Sequence, residues 1–235
     1  MSVSETERAE AAGLHVVVDG SAPLSPETTA LIGKVCDELE DARGGGAFAV
    51  LHVENGEGGP AAGWPGPAAD VNAVNKWEGV LRRLERAPGA VLVTASGDCS
   101  GAALDVLLAA DCRIVTAGTR LRLPTAEGQV WPGMAVHRLA RQLGVARARR
   151  LVLFGAGLTA EEGLAAGLVD RVVPDGGALD AAVAEATAPL AGVDGTQLAI
   201  RRRLLLDAAV TGFEESLGSH LAACDRMLRQ LAAGR

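Results

Sequence analysis

The chain has 235 residues and a mass of 23.9 kDa, which suits one large domain or two small ones with a substantial buried core. Its formal charge of −7 argues against a general nucleic-acid binder, and the absence of tyrosine excludes any mechanism that uses a tyrosine hydroxyl. No apolar run reaches the roughly 18 residues that a membrane span needs, so we expect no membrane partner.

The cysteines and the N-terminus bear on cofactors and compartment. None of the four cysteines forms a CxxC pair, which leaves a zinc site or a redox dithiol with little support. The first twelve residues are polar and acidic rather than basic and then apolar, so they do not predict a signal peptide. We therefore expect a cytoplasmic protein with reduced thiols and with no metal or redox cofactor.

The first half of the chain predicts strands and helices in alternation. Residues 14–19 form an apolar run that ends at Gly20, and Pro26 then begins a helix after Ser25, a favoured N-cap type. Further strands are predicted at 47–53, 90–95, 112–116 and 121–123, and further helices at 70–86 and 101–110. This alternation is typical of the α/β class.

The second half is predicted to be mainly helical, without a boundary of a second domain. Helices are expected at 133–143, 146–154, 159–166, 178–190, 195–209 and 213–232, with one strand at 168–173. A Gly- and Pro-rich loop, residues 54–69, separates a strand from a helix in the first half. A loop of this length inside a compact domain is more often functional than idle.

The strongest local signal for chemistry is the segment 90–111, in which a buried strand leads through a glycine turn into an apolar helix. Unpaired N–H groups and the positive end of the helix dipole lie at such a helix start, near Gly101 and Ala102, and suit the enolate oxygen of a thioester. Asp105, one turn further on, could exchange a proton with that ligand. The spacing alone also fits close packing and a first-turn charge that favours the helix dipole, so both interpretations stay open.

Several segments resemble, in order, the enoyl-CoA hydratase/isomerase (crotonase) family. The matching positions of its core are Gly97, Gly101, Asp105, Asp111, Pro124, Trp131-Pro132-Gly133 and Arg138-Leu139. Residues 151–173 are similar to the family's L-x-x-G-x-x-x-x-A-x-E-A-x-x-x-G-L-V segment. The resemblance is clearest over residues 85–175 and extends to the rest of the chain.

This resemblance implies an α/β fold of the crotonase type, a spiral of ββα turns with a helical C-terminal region. The spiral core would occupy residues 1–175, and residues 176–235 would form a helical trimerisation region of the same domain. A homotrimer, or a hexamer made of two trimers, is then expected. The substrate would be an acyl-CoA thioester, with coenzyme A present only as part of that substrate.

The resemblance also implies two backbone donors for the thioester oxygen. Ala102 matches the first donor, at the start of the buried helix. The second donor comes from the loop after an early strand, just before an aspartate, and Ala69 before Asp70 is the best match. Gly63 or Trp64 could hold that position instead.

The acid–base positions depart from the family pattern. Hydratases of the family use two glutamates that flank one water, whereas the first position here is Asp105, which is shorter by one methylene. The second position falls on Thr125, which is not a base, and Glu127 lies two residues away. Ordinary two-glutamate hydration is therefore in doubt, and Asp105 is expected to move the proton with help from Glu127 or Thr125.

Three segments suggest a more specific resemblance, VNKWE at 74–78, ASGDCSG at 95–101 and WPGMA at 131–135. They are similar to small crotonase-like enzymes of 3,5-dihydroxyphenylglycine biosynthesis, which belongs to antibiotic biosynthesis. This implies a dehydratase-like lyase that helps a type III polyketide synthase form 3,5-dihydroxyphenylacetyl-CoA by enolate stabilisation and loss of water. Two alternatives are a non-catalytic partner of the synthase and a generic enoyl-CoA hydratase or isomerase.

Overall fold

The computed structural model of the chain describes residues 13–42, 47–54 and 64–233. The strands in these ranges are β1 (Gly13–Asp19), β2 (Phe48–Glu54), β3 (Ala90–Ala95), β4 (Asp98–Cys99), β5 (Cys112–Thr116), β6 (Arg120–Leu121), β7 (Thr125–Ala126), β8 (Gln129–Val130), β9 (Leu158–Thr159) and β10 (Arg171–Val173). The α-helices are α1 (Pro26–Asp41), α2 (Val71–Leu84), α3 (Ala102–Ala109), α4 (Ala135–Leu143), α5 (Val145–Phe154), α6 (Ala160–Ala165), α7 (Leu179–Thr187), α8 (Gly195–Ala208) and α9 (Phe213–Ala233). Alternation followed by helices confirms the predicted α/β class and helical C-terminal region.

A five-stranded parallel sheet in the order β1-β2-β3-β5-β10 forms the centre of the fold. On one face, side chains such as Leu51 and Val93 belong to the core that α1, α2 and α3 share. On the other face, Val50 and Leu92 pack with Ala182 of α7. Helices on both faces explain why these strands read as continuous apolar runs rather than alternating ones.

Two small sheets lie beside the central one, in the orders β4-β6-β9 and β7-β8. β4 pairs in parallel with β6, and β6 pairs antiparallel with β9. The chain therefore runs from a central strand through a short outer strand into a helix, as in β3–β4–α3. Of the strand predicted at 121–123, only Leu121 lies in a strand, as the second residue of β6.

Local sequence signals set the starts of α1 and α2. Ser25 is the N-cap of α1, and its hydroxyl accepts a hydrogen bond from Thr28 N at 3.2 Å, as the sequence predicts. Asp70 is the N-cap of α2 and accepts from Ala73 N at 2.7 Å. The start of α2 therefore ends the Gly- and Pro-rich loop, whose residues 55–63 lie outside the described ranges.

The strand predicted at 168–173 is wrong in its first half, because β10 covers only Arg171–Val173. The amides of Leu168 and Val169 both donate to the carbonyl O of Gly163, at 2.9 and 3.2 Å. These bonds satisfy a carbonyl at the end of α6. Leu168 and Val169 therefore belong to the C-terminal end of that helix, and the sheet begins only at Arg171.

The last two helices, α8 and α9, differ in how they are attached. Arg202 of α8 donates to Asp111 Oδ1 at 2.6 Å and to the carbonyl O of Gly89 at 2.7 Å, which fastens α8 to the start of the central strands. α9 has no buried side chain in this structure. Within the described ranges, no helix is long and apolar enough to cross a membrane.

Candidate active site

The N-terminus of α3 carries backbone donors that no side chain caps. Its N-cap is Gly101, at φ 56° and ψ −127°, and the first intrahelical bond runs from Asp105 N to Gly101 O at 3.0 Å. The amides of Ala102 and Ala103 therefore have no acceptor within the helix. With the positive end of the helix dipole behind them, they form the type of site that stabilises an oxyanion.

Trp64 lies directly against this helix start. A β-carbon built on Gly101 would meet two ring carbons of Trp64 at 3.0 Å, so glycine permits both the contact and the positive φ. Trp64 is only 2% exposed. The following residue, Pro65, holds the loop in place because its carbonyl accepts a bond from Leu24 N at 2.9 Å. The described end of the Gly- and Pro-rich loop thus covers the proposed oxyanion site.

Asp105 lies on α3 one turn beyond Ala102 and is 6% exposed. Its Oδ2 accepts a hydrogen bond from the indole Nε1 of Trp77 at 2.9 Å. The rings of Trp77 and Trp64 meet edge to face, with 6.0 Å between their centroids. The oxyanion donors, the carboxyl group and the two indole rings therefore form one contiguous buried group.

The pKa of Asp105 is raised from its ordinary value of 3.8 to about 7, chiefly because burial removes water from the ionised form. The Trp77 hydrogen bond opposes this shift by stabilising the carboxylate. The charge of Glu78 raises the pKa further, and the charge of Arg138 lowers it. Both protonation states are consequently accessible near neutral pH, as general acid–base catalysis requires.

Arg138 of α4 forms a buried ion-pair cluster beside Asp105. Its Nη1 lies 2.8 Å from Glu78 Oε2, and its Nε lies 2.6 Å from Glu85 Oε1. The Arg138 side chain is 7% exposed, and those of Glu78 and Glu85 are 18% and 17% exposed. The cluster joins α4 to α2, the helix that carries Trp77, and fixes the charges that surround the carboxyl group.

The proposed second oxyanion donor is already engaged in this structure. Ala69 N donates to the carbonyl O of Gly66 at 3.2 Å, within the turn that leads into α2. Of the two alternatives, Gly63 lies outside the described residues, whereas Trp64 contacts the start of α3. Of the residues considered for the second donor, Trp64 is the one whose contact with the start of α3 the structure describes.

Thr125 and Glu127 are exposed on the β7–β8 hairpin, unlike the buried Asp105. Glu127 at φ 51° and Gly128 at φ 76° form the two-residue turn of that hairpin. Two adjacent positive φ angles are typical of the tight turns that join antiparallel strands. The turn thus explains the position of Glu127. Of the three residues proposed for proton transfer, Asp105 is the buried one.

Sequence reasoning used Trp77 only as part of the segment at 74–78 and missed its contact with Asp105. It matched Arg138 to the family pattern without a role. The need for a partner could have been predicted for each, because a buried indole N–H needs an acceptor and a buried arginine needs anions. Only the fold identifies those partners. Among the described residues, no three His, Cys, Asp or Glu side chains come together as a metal site.

Comparisons of sequence place this chain among known relatives. Residues 66–229 match the enoyl-CoA hydratase/isomerase family. An enoyl-CoA-hydratase from Amycolatopsis orientalis is 48% identical over 215 residues, which cover 92% of this chain and 95% of that protein. A mevalonyl-coenzyme A hydratase from Beauveria bassiana is 33% identical over 122 residues, 52% of this chain and 43% of that protein.

Solved structures share the fold. An enoyl-CoA hydratase/isomerase family protein from Silicibacter pomeroyi superposes with a TM-score of 0.77 and 18% identity, over 94% of this chain and 97% of that one. An enoyl-CoA hydratase from Mycobacterium smegmatis gives 0.75 and 18% identity, over 88% and 82%. At such identities the similarity concerns the fold alone.

Proposed function

Because the chain belongs to the enoyl-CoA hydratase/isomerase family, we propose that it is a hydratase-type enzyme that removes water from an acyl-CoA thioester. The observation that carries this proposal is the buried carboxyl of Asp105, one turn from the Ala102 amide. A carboxyl whose pKa is about 7 can accept a proton and then return it within one reaction.

In the proposed reaction, the thioester carbonyl oxygen binds at the Ala102 amide, where the helix dipole favours negative charge. Ionised Asp105 takes the α-proton, and the electron pair of the broken C–H bond forms the enolate. The enolate re-forms the carbonyl and expels the β-hydroxyl, which takes the proton from Asp105 and leaves as water. An α,β-unsaturated thioester and ionised Asp105 remain.

The proposal assigns proton transfer to Asp105 alone. The Ala69 amide would serve as second donor only after it leaves its turn with Gly66. Thr125 and Glu127 would assist only if their exposed hairpin moved towards the buried carboxyl. One carboxyl that acts first as base and then as acid needs neither.

The proposed substrate is a polyketide-derived thioester supplied by a type III polyketide synthase, and the product is 3,5-dihydroxyphenylacetyl-CoA. Support comes from the sequence segments at 74–78, 95–101 and 131–135. The indole rings of Trp64 and Trp77 beside Asp105 also suit a flat, unsaturated acyl group. Coenzyme A is proposed only as part of the substrate, and the cytoplasm as the compartment.

The test is the rate of 3,5-dihydroxyphenylacetyl-CoA formation from malonyl-CoA by a type III synthase, with and without this protein. We expect a large enhancement, because enolate stabilisation at a single backbone donor is worth about 10²–10³-fold. A parallel assay follows hydration of crotonyl-CoA without any synthase.

The two assays separate the alternatives. Enhancement that the Asp105→Asn variant loses supports the enzyme, provided that binding to the synthase is retained. Enhancement that this variant keeps indicates a non-catalytic partner. Crotonyl-CoA turnover without any change in the rate of the synthase reaction indicates a generic hydratase and would contradict the proposed polyketide substrate.

The family resemblance implies a homotrimer, or a hexamer of two trimers, and the apolar side chains that α8 and α9 leave exposed support such an assembly. Leu205, Phe213 and Leu228 are 73%, 76% and 65% exposed, and burial against further copies would remove this surface from water. Sedimentation equilibrium should give three or six times the 23.9 kDa of one chain. A Phe213→Ser, Leu228→Ser double variant should dissociate, whereas Val71→Ser, equally exposed on α2, should not. A wild-type mass of one chain would contradict the assembly.

A further inference from the structure

The hydrogen bond between Trp77 and Asp105 restricts the carboxyl group in a way that ordinary core packing does not. An indole N–H can only donate, so Oδ2 of Asp105 must be the acceptor in both protonation states. When Asp105 carries a proton, the bond favours that proton on Oδ1, because a carbonyl-type Oδ2 is a better acceptor for the indole N–H than a protonated one. The two carboxyl oxygens, chemically equivalent in water, are therefore distinguished in the folded protein.

We propose that Trp77 is a positioning residue that reserves Oδ2 as an acceptor and leaves Oδ1 as the oxygen that takes up and returns the substrate proton. The proposal rests on the dehydration proposed above, in which Asp105 acts as base and then as acid. Holding one oxygen also fixes rotation of the carboxyl plane, so the proton-transfer direction is set before substrate binds.

The surroundings hold Trp77 rigidly enough for this role. Its side chain is 1% exposed on α2, and the Trp64 ring lies edge-on to it at a centroid distance of 6.0 Å. Trp64 in turn contacts Gly101 at the start of α3. The donor, the carboxyl group and the oxyanion amides are thus held by one packed unit.

The charged groups that face Asp105 come from two of the elements packed around it. α2 supplies Glu78, and α4 supplies Arg138, which is also paired with Glu85. β3 carries no ionisable residue, and on β1 His15 hydrogen-bonds His52 while Asp19 accepts from the amide and the hydroxyl of Ser21. Loss of the Trp77 N–H with these charges unchanged removes a hydrogen bond that is stronger to the carboxylate than to the protonated carboxyl, so it destabilises the ionised form more.

The decisive variant is Trp77→Phe, which keeps an aromatic ring and removes the N–H donor. Loss of one hydrogen bond to a buried carboxylate should raise the pKa of Asp105 by about 1–2 units. Carbon-detected NMR of labelled aspartate measures this titration without any turnover. In the wild type, the indole N–H signal of Trp77 should titrate together with Asp105, and Asp105→Asn should abolish that titration.

Kinetics supply the second readout. Trp77→Phe should lower kcat at least tenfold at pH 7 with little change in KM, and part of the loss should be recovered at higher pH, where Asp105 ionises. Leu81→Val loosens the same helix without touching the hydrogen bond and should leave the titration midpoint unchanged.

Two outcomes would overturn the proposal. A Trp77→Phe enzyme that loses the same factor of activity at every pH, with an unchanged Asp105 titration, would make Trp77 a packing residue and leave the dehydration intact. A coupled titration of Trp77 and Asp105 in a protein that turns over no thioester would retire the dehydration and, with it, the use of Oδ1.

Discussion

Replacement of Asp105 by Asn should slow product formation at least tenfold, and the full loss of a general acid–base group is typically worth about 10²–10⁴-fold. Asparagine keeps the size of the side chain and an oxygen that can accept from Trp77, but it cannot carry the proton. The measurement is the synthase-coupled rate, with retained binding as the control for folding. An unchanged rate would remove Asp105 from the mechanism.

The same variant should be more stable than the wild type at neutral and alkaline pH. The native pKa of Asp105 is raised from 3.8 to about 7, so its contribution to stability is fully present below the lower value and is lost as pH rises through the higher one. The stability advantage of Asp105→Asn should therefore grow by roughly 2–3 kcal/mol between pH 5 and pH 8.

Urea unfolding at the two pH values checks this difference. An advantage independent of pH would mean that the pKa of Asp105 is the same in the folded and unfolded protein, which would contradict the raised pKa on which its proposed acid–base role rests. A variant that is slower yet more stable would show that the protein retains a destabilising carboxyl at the site of chemistry, a known exchange between activity and stability.

Replacement of Gly101 by Ala should damage both the fold and the site. At φ 56° an L-residue is strained by about 1–3 kcal/mol, and the new methyl would lie 3.0 Å from the Trp64 ring. If Trp64 or the helix start shifts, the Ala102 amide leaves its position, and loss of such a donor costs about 10²–10³-fold in rate. Urea unfolding, tryptophan fluorescence and turnover measure these effects.

Gly79→Ala is the matched control. Gly79 lies in α2 with a β-carbon free of contacts within 4 Å, so alanine there should stabilise the helix by up to about 1 kcal/mol. A loss of stability in Gly101→Ala together with a gain of stability in Gly79→Ala would show that glycine is required at the start of α3. A Gly101→Ala protein as stable and active as the wild type would contradict the proposed oxyanion site.

Much of the local architecture could be predicted because its causes lie between neighbouring residues. Ser25 before Pro26 set the start of α1, and apolar runs set β1, β2, β3 and β5 to within one residue, although not the start of β10. The one-turn spacing from Ala102 to Asp105 followed from helix geometry alone. The ordered family segments likewise depend only on the sequence.

The tertiary structure decided which distant residues meet. Trp77 and Asp105 are 28 positions apart, and only the packing of α2 against α3 brings the indole to the carboxyl. Burial, which sets the pKa of Asp105, depends on every element around it. The sequence by itself determined the helices, most of the central strands, the family and the helix that bears the carboxyl. Only the fold decided the protonation and orientation of that carboxyl, because both arise from long-range contacts that local periodicity does not encode.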